Sequence, residues 1–295
     1  MQSKELRLYY PMPKFPPVSV TGGRCDLRCS HCRGHYLGHM PDVSTPDRLR
    51  GFCVRHDEGG GVGLLISGGS TVEGRVPLKP FLPTIAWVKE NTGLIVNLHT
   101  GMLDAVEAGE IASTGADIVS VDVVGSRETL REVYGLKTSV EEYNATLTNL
   151  VDACVPQVAP HVCVGLHYGR VLGEHRAVQI AASIDPEVIV FLGLIPTENT
   201  PMADVPPPSP SDITGLISEA KRLSPRTDVS LGCMRSRDYK LELDWAAVEA
   251  GADRVALASR STERRAAESG YRVLRLDGCC ATPRSLESRM LRGEG

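Results

Sequence analysis

The chain has 295 residues, 42% of them hydrophobic, with a formal net charge of −4 and a pI near 6.1. This is enough apolar material for one large α/β barrel or two average domains. The mildly acidic balance gives no reason to expect nucleic acid as a partner.

The opening residues MQSKELRLYYPMPKFPP are polar and proline-broken, with no secretory core segment. No apolar run is long enough to span a bilayer, so the expected setting is cytoplasmic, without a membrane partner. Short β-branched runs then alternate with amphipathic stretches. Strands are predicted at 18–21, 63–67, 94–100, 117–124, 160–167, 188–196, 228–233 and 253–259. Ser44-Thr45-Pro46 and Ser209-Pro210-Ser211-Asp212 carry helix-start signals. Gly59–Gly61 reads as the turn after the first helix, and the proline cluster at 206–210 as a loop into another. Near-continuous apolar strands joined by helices predict a parallel sheet covered on both faces. Eight repeats point to a TIM-type (βα)8 barrel spanning residues 1–281, with a partial (βα)6 barrel and a C-terminal extension as the alternative. The charged residues 282–295 read as a loose tail. In such barrels ligands gather at the C-terminal ends of the strands, so polar residues and glycines there carry most weight.

Three of the nine cysteines, Cys25, Cys29 and Cys32, fall within eight residues just after the first predicted strand. In a reducing compartment close-set cysteines suggest metal ligands or catalytic groups rather than disulfides, and an odd total fits a disulfide framework poorly. Three thiolates on one loop suit an iron–sulfur cluster with one iron left open. A structural zinc site needs a fourth ligand, which His31 or His35 could supply. The spacing favours iron–sulfur, and zinc remains open. Cys53, Cys154 and Cys163 lie in predicted helices or inside a strand, and are expected to pack as small hydrophobes.

The C-x3-C-x2-C spacing and its place resemble the radical S-adenosylmethionine (SAM) superfamily. The resemblance implies that Cys25, Cys29 and Cys32 hold a [4Fe–4S] cluster whose remaining iron is chelated by SAM, and that one electron from an outside donor cleaves SAM to a 5′-deoxyadenosyl radical. It further implies that Tyr36, near the last cysteine, belongs to the cofactor site. Ser67-Gly68-Gly69-Ser70 stands where the family has a glycine-glycine-glutamate motif for the SAM amino group; Ser70 replaces the acid, which leaves that contact to the backbone. Asp122 on the fourth predicted strand, Gly165 and His167 at the end of the fifth, and Ile195-Pro196 after the sixth complete the implied cofactor site. Asn97, His99 and Thr100, polar residues at the end of an apolar strand, are expected to line the cavity as catalytic or substrate-contacting groups.

Within the superfamily the chain is most similar to biotin-synthase-related proteins, through segments such as LISGGSTVEG, VDVVGS, GLHYGRVLGE and LIPTENTPM. One relative of that group resembles a subunit of a two-protein lipoyl synthase. That likeness implies a sulfurtransferase acting on unactivated C–H bonds of an octanoylated protein, with a partner radical SAM subunit. Sulfur insertion calls for a sulfur donor, and Cys233, Cys279 and Cys280 are the residues that could hold a second [4Fe–4S] cluster, with Arg235 beside them. The cysteines that biotin synthase contributes from its third and fourth strands are replaced here by His99 and Asp122, which puts biotin synthesis itself in doubt. Two alternatives stand beside sulfur insertion: hydrogen abstraction or rearrangement of a small metabolite without a second cluster, and a non-catalytic iron–sulfur or zinc protein.

Overall fold

The computed structural model describes residues 4–292. Ten strands form one sheet: β1 (Glu5–Tyr9), β2 (Pro17–Ser19), β3 (Gly63–Ser67), β4 (Ile95–His99), β5 (Ile118–Asp122), β6 (Val158–Val164), β7 (Val188–Gly193), β8 (Asp228–Leu231), β9 (Arg254–Ala256) and β10 (Arg272–Leu276). The spatial order is β10-β1-β9-β8-β7-β6-β5-β4-β3-β2, and every neighbouring pair is parallel. The expected parallel α/β barrel is present. The sheet curls but stays open between β2 and β10, so the partial-barrel description fits as well as the closed one.

All eight predicted strands occur, and two more frame them. β1 lies in the segment read as merely polar and proline-broken. Its five residues are too short for periodicity to reveal, yet Leu6, Leu8 and Tyr9 are fully buried between β9 and β10.

The connecting helices are α1 (Pro46–Glu58), α2 (Leu82–Asn91), α3 (Ala105–Ala112), α4 (Arg127–Thr129), α5 (Val140–Asp152), α6 (Glu174–Ala182), α7 (Pro210–Leu223), α8 (Lys240–Glu249) and α9 (Arg260–Glu268). Their starts follow the sequence signals. Thr45 Oγ1 accepts from Arg48 N at 3.3 Å with Pro46 next in line. Ser209 and Asp212 cap α7 reciprocally. The helices pack apolar faces on the outside of the sheet through residues such as Leu49, Ile85, Ile111, Leu147, Ile213 and Leu216. Each fully buried Leu or Ile contributes roughly 1.5–3 kcal/mol relative to exposure. Among the described residues no helix is long and apolar enough to cross a membrane.

Inward-facing residues fill the barrel in layers because successive strand side chains alternate faces. At the strand starts Ile95, Ile118, Ala159 and Val188 form an apolar floor with Tyr9, Phe15 and Met290. The C-terminal segment closes this floor, which corrects its reading as a loose tail. Residues Arg284–Met290 form a 310 helix with Glu287 and Met290 buried. Arg7 Nε donates to Glu287 Oε2 at 2.9 Å, Tyr9 OH to Glu287 Oε1 at 2.5 Å, and the Arg284 backbone N–H to Glu187 Oε1 at 2.6 Å. Charges that read as solvated along the chain are instead spent on partners beneath the barrel. Residues 293–295 of the predicted tail lie outside the described residues.

Candidate functional site

The loop after β2 carries Cys25, Cys29 and Cys32 to the C-terminal end of the strands, where the barrel argument puts chemistry. Two segments hold it there. The first is Ser67-Gly68-Gly69-Ser70, after β3. Ser70 O accepts from Asp26 N at 2.9 Å and Leu27 N at 3.2 Å, and Cys25 Sγ lies 3.9 Å from the same oxygen. Gly69 N donates to Thr21 Oγ1 at 2.7 Å. A Cβ on Gly69 would stand 2.6 Å from Cys25 Cα, so only glycine permits this approach. Ser70 therefore uses its backbone carbonyl on the cysteine loop itself. The second is the turn that continues α4, Leu130–Tyr134, a π-helical widening of the kind common at functional sites. Val133 O accepts from Ser30 N at 2.7 Å, and the Tyr134 ring meets His31 edge-on at 5.6 Å.

The three thiols act on one another. Cys29 shares a hydrogen bond with Cys32 that holds Cys29 far above the usual thiol range, with burial and the neighbouring Cys25 adding to it. The same bond and His31 bring Cys32 down to about 4 against the opposing effect of burial. A loop that stabilises a thiolate beside two more sulfurs, with a glycine cradle behind it, fits a thiolate-ligated iron–sulfur cluster. Among the described residues no three His, Cys, Asp or Glu side chains are arranged to hold a single metal ion. Thiolates that each bind a different iron of a cluster have no need of so tight a convergence.

Tyr36 lies beside these sulfurs. Its hydroxyl is 2.9 Å from Thr197 Oγ1, in the Ile195-Pro196-Thr197 loop after β7, and burial raises its pKa. The loop from 200 onward puts fully buried Met202 into a cluster with Cys29, Val124, Leu130 and Tyr134. Gly165 has φ +75° and lies against Pro208, where a Cβ would be 2.9 Å from the proline ring. His167 turns away from the lumen, with Nδ1 3.2 Å from Thr129 Oγ1 and Nε2 3.8 Å from Glu132 Oε2.

Below the cysteine loop, the inward residues of β4, β5 and β6 make a polar belt. His99 Nε2 is 3.3 Å from Asp122 Oδ2. Burial would lower the His99 pKa, but Asp122 outweighs it and the net shift is upward. Asp122, which burial alone would raise, is brought down to about 2 by His99 and, more weakly, by His161 and His31. Burial lowers His161, whose Nδ1 lies 2.9 Å from Ala159 O. His99 and Asp122 are each about one-third exposed (33% and 35%) yet hemmed in by protein, as residues facing an internal cavity are. One layer deeper, Ser120 Oγ donates to Asn97 Oδ1 at 3.0 Å, and Asn97 Nδ2 lies 3.7 Å from Cys279 Sγ. Thr100 is fully buried, its hydroxyl donating to Gly101 O at 3.1 Å, and so lies behind the lining rather than in it.

Cys279 and Cys280 lie in this deeper layer, and Cys233, 46 positions earlier in the chain and solvent-exposed, lies near enough to act on Cys279. Cys279 and Cys280 act on one another, which lowers Cys279 and raises Cys280. Burial pushes Cys233 up to about 11, with Cys280 the next contributor. Arg235, near enough to Cys233 to oppose its upward shift, is buried between β9 and α8, donating to Asp244 Oδ1 (2.6 and 3.0 Å) and Ala256 O (2.8 Å). Its donors are spent bracing the loop after β8. Cys53 is fully buried, as expected, and burial raises it to about 12. Cys154 is exposed after α5, contrary to expectation, and Cys163 is half-buried on the lumen face near Asp122 rather than in the core.

His161, Tyr134 and Tyr143 were not singled out from the sequence. His161 pairs in register with Asp122 across β5 and β6 and shares the inward face of its strand with Cys163; inward alternation was the available signal. The tyrosines come from segments outside the strands, with ring centroids 6.1 Å apart, and no local pattern marks them.

No family model matches the chain. It is 25% identical to a biotin synthase from Synechococcus sp. (strain CC9311) over 274 residues, covering 88% of this chain and 81% of that protein. It is 31% identical to the biotin synthase of Polaromonas naphthalenivorans (strain CJ2) over 152 residues, covering 49% of this chain and 42% of that protein. Among solved structures, HydG, a maturase of the [FeFe]-hydrogenase, superposes with a TM-score of 0.67 over 97% of this chain and 69% of that one at 16% identity. Methylornithine synthase (PylB) gives 0.62 over 91% and 83% at 15% identity. These two likenesses speak for the fold; the biotin synthases add the relationship in sequence. Together with the cysteine loop at the mouth of the barrel, they make the chain similar to biotin synthases in sequence and to HydG and methylornithine synthase in fold.

Proposed function

We propose that this protein inserts sulfur at unactivated C–H bonds, using two iron–sulfur sites stacked along one barrel. The upper site is Cys25, Cys29 and Cys32; the lower is Cys233, Cys279 and Cys280. The observation that carries the reading is Cys279 Sγ beneath the polar belt, 3.7 Å from Asn97 Nδ2, with Cys280 next to it and Cys233 near enough to act on it. When bound, the upper cluster supplies the electron that cleaves SAM to the 5′-deoxyadenosyl radical, and the lower one the sulfur. The chain's own residues then position and enclose. The Ser67–Ser70 backbone and Gly69 bring SAM against the cysteine loop, with Tyr36, Gly165, Ile195 and Pro196 around it. Met202, Tyr134 and Leu130 keep water from the radical side. Asn97 directs a hydrogen bond at Cys279 and so favours its anionic, ligating form.

In the first reading the substrate is an octanoyl chain carried on a protein, as in lipoyl synthases, with a partner radical SAM subunit and an outside electron donor. The His99–Asp122–His161 belt favours a second reading. An alkyl chain passing this belt gains nothing from its polar groups, whereas a small metabolite with a hydrogen-bonding head, of the kind a biotin-synthase-like enzyme handles, would satisfy them. The test is deuterium transfer into 5′-deoxyadenosine, with reconstituted protein, reductant and SAM. Transfer from octanoyl C6 or C8 of an octanoyl-lysyl peptide, with the partner added, supports the first reading. Transfer from deuterated dethiobiotin but not from the peptide supports the second. SAM cleavage without transfer from either removes both.

A further inference from the structure

Cys279 and Cys280 reach the lumen on an irregular turn between β10 and the C-terminal 310 helix, so no strand fixes their direction. What meets the turn is Arg254, the first residue of β9, whose side chain is fully buried. Its Nη1 donates to two backbone carbonyls of the turn, Cys280 O at 3.1 Å and Thr282 O at 2.5 Å. Its Nε donates to Asp228 Oδ2 at 2.8 Å, and Nη2 lies 2.7 Å from the same oxygen. Arg284 Nη2 donates to the other oxygen, Oδ1, and its Nε lies 3.1 Å from Oδ2. Asp228 therefore has a second cation, and charge balance alone does not require the carbonyl bonds.

Those bonds use what is particular to a guanidinium: five donors in a rigid fork, able to grip a carboxylate on one edge and carbonyls on the other. Arg254 is also paired in register with Ser230 of β8, the strand that leads into Cys233. One side chain thus links the two segments that bring the lower thiols together.

We propose that Arg254 is a positioning residue for the lower thiol site, holding the Cys279–Cys280 turn by Cys280 O and Thr282 O so that its thiols face Cys233. The proposal rests on the reading of these three cysteines as one site. Arg254 touches no thiol and acts through the backbone that carries them. Residues that orient metal ligands from behind typically change affinity about 10- to 100-fold when replaced.

The test compares the full-length chain with Arg254→Lys, which keeps a cation for Asp228 but loses the fork, and with Arg254→Gln as a second variant. Before reconstitution, iodoacetamide labelling followed by peptide mass gives the alkylation rate of each cysteine. Cys280 is expected to react about tenfold faster or more in Arg254→Lys, with fully buried Cys53 still protected as the control for folding. After anaerobic reconstitution, iron is expected to fall from about eight to about four per chain, with SAM cleavage within about twofold of wild type. Unchanged Cys280 alkylation in both variants overturns the proposal. Simultaneous exposure of Cys53 also overturns it, since Arg254 would then be a general support of the fold. Wild-type protein that takes up only about four irons defeats the two-site reading instead, while the alkylation rates still decide the role of Arg254.

Discussion

The upper and lower thiol sites use the same side chain and are built in opposite ways. Cys25, Cys29 and Cys32 come from one loop, and their mutual approach is set by sequence spacing and by the glycines of the facing 67–70 loop. Cys233, Cys279 and Cys280 come from two distant segments, and their approach depends on the barrel, on Arg254 and on a C-terminal helix closing the floor. A locally built site should survive damage to the far end of the barrel. A site built by tertiary structure should be lost when any one of its supports is removed.

The sharpest break in this comparison is Cys29→Ala. It is expected to reduce 5′-deoxyadenosine formation to background while the lower site still takes up about four irons; iron analysis beside product chromatography checks both. Next comes the Cys279→Ser, Cys280→Ser double variant, expected to lose about four irons and all sulfur insertion but to keep SAM cleavage. If it also loses cleavage, the two sites are not separately built.

Gly69→Ala addresses the upper site from behind. Its Cβ would stand 2.6 Å from Cys25 Cα, so the two loops must part. Destabilisation of about 1–3 kcal/mol is expected from overpacking of this kind, read as a lower urea midpoint, together with weaker SAM binding and an intact lower site.

A smaller effect is expected from Asp122→Asn, between the two sites. In the wild type His99 lies above its ordinary 6.5, so its share of stability is full below 6.5 and is lost as pH rises through the folded value. Asp122, down at about 2 from 3.8, contributes above 3.8 and loses its share as pH falls toward 2. The pair thus supports the fold most between roughly pH 4 and 6.5. In Asp122→Asn, burial is left unopposed and the His99 titration followed by NMR should move below 6.5. A His99 that still titrates above 6.5 would mean that another acid supports it.

The smallest effect concerns Lys14→Ala, which removes an ion pair with Asp277 at 3.1 Å across the seam between the β1–β2 loop and the C-terminal segment. With Lys14 half exposed, the expected loss is about 0–1 kcal/mol, and both sites should load normally.

Legibility in the sequence follows the same division. Strand period and helix caps are local, and they gave the sheet and the helix starts directly; the C-x3-C-x2-C spacing is local too and puts Cys25, Cys29 and Cys32 on one loop. Arg254, Asp228 and Glu287 could not be read in this way, because a buried ionic residue looks like any surface charge until its partner is known. The C-terminal residues misled for that reason: RSLESRM looks solvated, yet Glu287 and Arg284 are engaged beneath the barrel. β1 was missed because five residues carry too little pattern.

The most direct test of the two-site account is iron per chain, counted alongside 5′-deoxyadenosine, for wild type and the Cys279→Ser, Cys280→Ser variant reconstituted under the same conditions. The account predicts about eight irons falling to about four, with SAM cleavage retained. A wild type that stops at about four, or a variant that keeps all its iron, would contradict it.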